Sequence, residues 1–408
     1  MEKEGSSSIV SRYMDTVLPW FEEHCELGSF ESRTLRPDGS SMSIRYCKIS
    51  TKKRTKTRSG GGGGVSCVFS LGWSESYMKY KEVFYDLAQS FPGITIYCMD
   101  HGSQGMSDRW APHPDRGWVR DFTDYAKDQL HFIRNVCDIE GGCEKWLFGH
   151  SMGGLVATHI VKAMPGYFDK ILLSSPMLSI ECPIKGLPMS VFHFLAFVVA
   201  RVLNKSQEWT PGAGPKESYK WPRGAENTNT SCEERIDCWD SQRKDNLQVV
   251  VGGVTWGWLC TSLDHRVDAS TITRETCEAF EKSAVMLVIC EHDGTVCPDA
   301  IHAFNDRVAT CELYEAKHSK HEFLFEKDFI RDTVLAEAVE FFKRKAPIKK
   351  KRRHKAKSEA RKLWEGRLWL FFLIIAVWII TRGGLGGLVA LLSGTSGEVV
   401  GAGVVEVG

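Results

Sequence analysis

The stretch KWLFGHSMGGLVATHIVKAMPG, residues 145–166, places Ser151 between Gly149 and Gly153 and between an apolar run and a helix-like one. A serine hydroxyl is a poor nucleophile at neutral pH, so a reactive one needs a base, and the base needs a carboxylate to orient it. Candidates for both lie downstream. VMLVICEHDGTVCP, 285–298, carries Glu291 and Asp293 just after an apolar run, and EAKHSKHEFLFEKD, 315–328, carries His318 and His321. Two histidines three apart also suit a metal pair. No other Asp, Glu or His cluster has ligand-like spacing, so neither a metal nor a cofactor is expected.

Chemistry of this kind demands a particular local structure. The serine must sit on a sharp turn between a strand and a helix, which is why the positions two before and two after it lack side chains. The free N–H groups at the start of that helix then face any negative charge that develops. Here KWLFGH reads as the strand, and Leu155, His159, Ile160 and Ala163 recur along one face of the helix.

Similar short runs surround this unit. SCVFSLG (66–72), ITIYCMD (94–100), KILLSSP (170–176), VMLVICE (285–291) and CELYEA (311–316) read as strands, with helical spacing around 75–90, 116–136 and 152–164. Strands apolar on both faces and separated by helices predict a mostly parallel sheet covered on both sides. The alternation stops between Pro176 and about Thr273, where MSVFHFLAFVVARVL (189–203) precedes a segment rich in Pro, Gly, Trp and Asn. This reads as a cap inserted between core strands. A final helix carries Ile330, Val334, Ala338, Phe341 and Phe342 on one face.

Charge is unevenly spread along the 408 residues, whose formal net charge is +1. Residues 343–382 hold fourteen Lys and Arg against two Glu, leaving the preceding body at about −9. An acidic body argues against nucleic-acid binding. The fourteen cysteines form no CxxC pair and suit a reducing compartment, and MEKEGSSSIV has no apolar core of a signal peptide. TKKRTKTRSGGGGG (51–64) reads as a surface loop.

Beyond Lys345 a basic run, KKKRRHKAKSEARK (349–362), leads into LWLFFLIIAVWIIT (368–381). Fourteen apolar residues fall short of the roughly 20 that span a bilayer. Reading on through Arg382 to Leu392 gives enough length, at the cost of one arginine and four glycines. The expectation is a C-terminal membrane anchor with the body on the cytosolic side. An interfacial segment, or a cytoplasmic protein with an unanchored tail, is the alternative. The expected organisation is an N-terminal segment (1–26), a core in two parts (27–177 and 274–345) and a cap (178–273). A basic linker (346–367), a membrane segment (368–392) and a Gly-rich tail (393–408) complete it.

Several motifs together resemble the α/β-hydrolase lysophospholipases and monoacylglycerol lipases, in particular the bacterial-type membrane-associated lysophospholipases within the serine aminopeptidase-like superfamily. The likeness covers roughly residues 27–342 and rests on LGWSESYMKY (71–80), DHGSQGMSDR (100–109), HPDRGWVRDFTDYAKDQL (113–130), GHSMGG, LLSSPML (172–178) and HEFLFEKD (321–328). In that family the chain order is serine, acid, histidine, each after a strand. The resemblance implies Ser151 as nucleophile, His321 as base in the register of HEFLFEKD, and Asp293 as acid. It also implies an oxyanion hole from the backbone N–H groups of Trp73 and Met152. His318 has no counterpart. Two departures stand out: Leu71 replaces the usual histidine before Gly72, and Ser103 replaces a glycine in the turn after Asp100.

The activity so implied is hydrolysis of carboxylic esters of single-acyl-chain lipids through an acyl-enzyme. An acyltransferase, an aminopeptidase and a membrane-tethered scaffold are the rival readings. The expected partners are the lipid substrate and, through the C-terminal segment, a membrane surface; no protein partner is evident. The apolar run 189–203 fits a buried cap core, an acyl-chain wall or a membrane-contacting lid.

Overall fold

The computed structural model describes residues 8–51, 64–215 and 223–344. The chain opens with α1 (Ile9–Arg12) and α2 (Leu18–His24), joined by a π turn, and continues into two antiparallel strands, β1 (Cys25–Glu31) and β2 (Ser43–Ser50). Strands and helices then alternate: β3 (Val65–Ser70), α3 (Lys81–Ser90), β4 (Thr95–Met99), α4 (Thr123–His131), β5 (Glu144–His150), α5 (Met152–Ala163) and β6 (Lys170–Ser174). The inserted region supplies α6 (Met189–Phe197), α7 (Glu233–Asp245) and α8 (Trp256–Asp264). The core resumes with α9 (Arg274–Phe280), β7 (Ala284–Cys290), α10 (Pro298–Arg307), β8 (Cys311–Ala316) and α11 (Asp328–Lys343).

All eight strands form one sheet in the order β1-β2-β4-β3-β5-β6-β7-β8. The six from β3 to β8 run parallel, and β2 joins β4 antiparallel. The six strands anticipated from apolar runs are these parallel ones. Their residues alternate between two cores: Trp146 and Phe148 of β5 pack on one face with Phe69, Phe84 and Phe342, while Leu147 packs on the other with Leu155, Ile160 and Phe132. The inner strands β3 to β7 are largely buried on both faces, which is why they read as continuous apolar runs, whereas edge strand β8 buries only Cys311 and Ala316.

The antiparallel pair was not anticipated. Edge strand β1 is mostly exposed and has no apolar run, and β2 splits its residues, Ile44 facing one core and Cys47 and Ile49 the other. The insertion divides in two. Helix α6 and α8 share a small core of Phe192, Ala196, Val199, Trp256, Leu259 and Leu263, so one face of the apolar run is buried within the cap, while Phe197 and Val202 stay exposed. Helix α7 instead packs on the N-terminal helices, where Cys238 meets Tyr13 and Val17.

All fourteen cysteines are free thiols. Among the described residues no helix is long and apolar enough to cross a membrane. The expected linker, membrane segment and tail (346–408) lie outside the described residues, as do residues 52–63.

Candidate active site

Ser151 stands between β5 and α5 with φ 50° and ψ −119°, a conformation that L-residues avoid. The surrounding glycines permit it. A Cβ on Gly153 would fall onto the Ser70 carbonyl, and one on Gly149 would come within 3.0 Å of the Leu173 side chain. Backbone bonds hold the turn on both sides: Ser151 N–H donates to Ser174 O (3.0 Å), and Met177 N–H donates to Ser151 O (2.8 Å). The serine is 7% exposed.

The loop after β8 brings His321 to it. His321 Nε2 lies 2.9 Å from Ser151 Oγ, and Nδ1 lies 2.7 Å from Asp293 Oδ2. The His321 and Asp293 side chains are each only 5% exposed. Burial opposes the Asp293 charge, but the bond to His321 and the N–H groups of Thr295 and Val296 outweigh it and hold the carboxyl below its ordinary range. Glu291, the competing carboxylate, instead accepts the His318 N–H at 2.8 Å. His318 is exposed, in a left-handed conformation with φ 60°, and does not enter this hydrogen-bonded chain.

Trp73 and Met152 flank the serine along the chain and across the sheet end. Met152 is the first residue of α5, and among the described residues neither its N–H nor that of Trp73 donates a hydrogen bond. The Trp73 turn is pinned from both sides. Gln104 Nε2 donates to Gly72 O (2.7 Å), its Oε1 accepts from Ser74 N–H (3.2 Å), and Gly72 N–H donates to Glu75 Oε2 (2.6 Å). The Trp73 ring packs 4.9 Å from that of Trp258 on α8, so the turn also touches the cap.

Ser103 keeps the conformation that a glycine would give, with φ 68°. It stays fully buried, its Oγ accepting the Trp110 N–H at 2.8 Å.

Residues 65–328 match the family Hydrolase_4, described as serine aminopeptidase, S33. The chain belongs to this family. Among curated proteins, lysophospholipase L2 of Escherichia coli is 28% identical over 299 residues, which is 68% of this chain and 80% of that protein. Human monoglyceride lipase is 30% identical over 111 residues, 27% of this chain and 34% of its own. A carboxyl esterase from Bacillus coagulans shares the fold, with TM-score 0.57 at 14% identity over 78% of this chain and 98% of that one. The α/β-hydrolase fold with its mostly parallel sheet is thereby established, and the S33 match spans Ser151, Asp293 and His321.

Residues of the inserted segment and of the motif HEFLFEKD also surround Ser151 and His321. Glu326 accepts Lys320 N–H (3.0 Å) on one oxygen and Ser231 N–H (3.1 Å) and Oγ–H (2.5 Å) on the other, and it is fully buried. Glu322 N–H donates to Asn229 O (2.8 Å), and Thr230 Oγ–H donates to Phe325 O (2.6 Å). The inserted segment 227–231 therefore lies along the base-bearing loop as a strap. Asp328 is the first helical residue of α11 and pairs with Arg235 at 2.7 Å.

Three groups of potential ligand atoms come within 4.8 Å of one another among the described residues: His193, Cys260 and Asp264; Glu291, His292 and His318; and Glu75, His150 and Glu322. A protein cation meets the carboxylates of each. Arg201 reaches Asp264, Lys317 reaches Glu291, and Lys79 reaches both Glu75 and Glu322. Burial pushes the His150 imidazole down to about 4, so it is neutral at pH 7.

Proposed function

We propose that this protein is a carboxylic ester hydrolase of single-acyl-chain lipids, lysophospholipids or monoacylglycerols, acting through an acyl-serine intermediate. The observation that carries the reading is the hydrogen-bonded chain Asp293–His321–Ser151. Ser151 Oγ attacks the ester carbonyl carbon while His321 Nε2 takes its proton, and Asp293 holds the other ring nitrogen and offsets the imidazolium charge. The Trp73 and Met152 N–H groups receive the oxyanion. Collapse of the tetrahedral intermediate expels the alcohol, which takes the proton from His321. Water then gives its proton to His321, attacks the acyl carbon and releases the fatty acid, restoring Ser151.

The named activities of the Escherichia coli and human relatives support this substrate class. The apolar cap supports it as well, because Phe197 and Val202 on the exposed side of α6 and its π turn suit contact with acyl chains or a lipid surface. The basic run 349–362 followed by the apolar stretch 368–392 would hold the body at an anionic membrane.

The test is a substrate panel assayed with purified full-length protein: lysophosphatidylcholine, lysophosphatidylethanolamine, monoacylglycerols and aminoacyl amides. Ser151-dependent release of fatty acid from one of the lipids is expected. Cleavage of the amides alone would replace this reading with a peptidase. For the tail, truncation after residue 345 should lower activity on vesicle-embedded substrate and spare activity on a soluble ester; full activity on vesicles would remove the anchoring role.

A further inference from the structure

We propose, on the hydrolase reading above, that Lys79 is a positioning residue that locks the Trp73 turn to the loop bearing His321. Its Nζ lies 2.9 Å from Glu75 Oε1 and 2.8 Å from Glu322 Oε2, and the three side chains are 3%, 4% and 7% exposed. The ammonium also sits 4.4 Å from the centre of the Phe325 ring.

The two carboxylates belong to different parts of the site. Glu75 accepts the N–H of Gly72, the residue before Trp73, as well as the Tyr80 hydroxyl at 2.7 Å. Glu322 directly follows His321. One buried ammonium thus fastens the turn that offers an oxyanion donor to the loop that offers the base. A buried ammonium between two carboxylates is a costlier arrangement than an apolar contact of the same volume. Its return is register. The donor and the base must keep a fixed separation while charge moves between them, and the ion pair adds a directional link to the packing of Tyr80 on Phe325, whose ring centres lie 5.4 Å apart. A misplacement of an ångström at such a site costs on the order of 10²-fold in rate.

The test compares Lys79→Met, Lys79→Arg, Glu322→Gln and the double variant Lys79→Met/Glu322→Gln in the full-length protein. Steady-state kinetics on a soluble short-chain ester are measured alongside thermal unfolding. Folded Glu322→Gln and Lys79→Met should each lose about 10- to 100-fold in kcat at unchanged KM. The double variant should be no worse than the worse single one, because both remove the same link. Lys79→Arg should keep most of the activity. Wild-type kcat in folded Glu322→Gln, or losses that multiply in the double variant, would overturn the coupling. Should Lys79→Met not fold, Glu322→Gln and Lys79→Arg decide by the same criteria. Ser151-dependent labelling of the wild type by a fluorophosphonate is measured in parallel, so a failed hydrolase reading is told apart from a failed link.

Discussion

Two loops meet at the site and are held in opposite ways. The turn carrying Ser151 is fixed by its own neighbours: Gly149 and Gly153 give the backbone room, and adjacent parallel strands supply the hydrogen bonds. The loop carrying His321 has little of this. Within the loop Glu326 accepts the Lys320 N–H, and the rest of its hold comes from distant parts of the chain, from the strap at 227–231 and from Lys79. A locally determined turn leaves a compact motif in the sequence, whereas a loop determined at long range leaves scattered residues whose purpose appears only in three dimensions.

Substitutions can break this contrast at graded cost. Ser151→Ala should be the most severe, lowering kcat on the order of 10⁶-fold with little change in stability, read by steady-state kinetics and unfolding together. Acid should come next, acting on the serine side. His150 is held at about 4, below its usual 6.5, so the unfolded chain binds the proton more readily between these values. Stability should therefore fall as pH drops from 6.5 towards about 4, by on the order of 3 kcal/mol. The Glu75 carboxyl, held at about 2 against burial by Lys79 and His150, extends the loss below 4.5. Denaturant midpoints across pH 7 to 4 in His150→Gln should show a flatter decline than in the wild type.

Gly153→Ala drives a methyl group into the Ser70 carbonyl and should cost about 1–3 kcal/mol or more in thermal unfolding. Glu326→Ala leaves the half-buried N–H groups of Lys320 and Ser231 without their acceptor, at about 1 kcal/mol each, and should lower kcat as the His321 loop loosens. Hydrogen exchange would sharpen the comparison, because faster exchange should appear at 317–326 and not at 149–154. His318→Ala should change kcat less than about twofold and stability by less than about 0.5 kcal/mol, as expected of an exposed side chain.

The same contrast explains what could be read in advance. The five inner parallel strands and the strand-turn-helix at Ser151 are written as runs and glycines, because each faces apolar surroundings on both sides or a local steric limit. Strands β1 and β2 were missed because edge position and split faces leave no run. Residues 71–80, 100–109 and 321–328 marked the family, but not why Glu75, Lys79, Gln104, Glu322 and Glu326 are there. Lys79 reaches Glu322, Gln104 holds the Trp73 turn and Glu326 reaches Ser231, across loops that only the fold brings together. Of the two histidines in EAKHSKHEFLFEKD, Nε2 of His321 lies at Ser151, while His318 turns to Glu291 on the surface.

The most direct measurement labels the protein with a fluorophosphonate and compares the wild type with Ser151→Ala, His321→Ala and His318→Ala, each first shown to fold. Labelling of the wild type and His318→Ala is expected at similar rates, with none of Ser151→Ala and almost none of His321→Ala. Labelling that survives His321→Ala and disappears with His318→Ala would contradict the role of His321 as base.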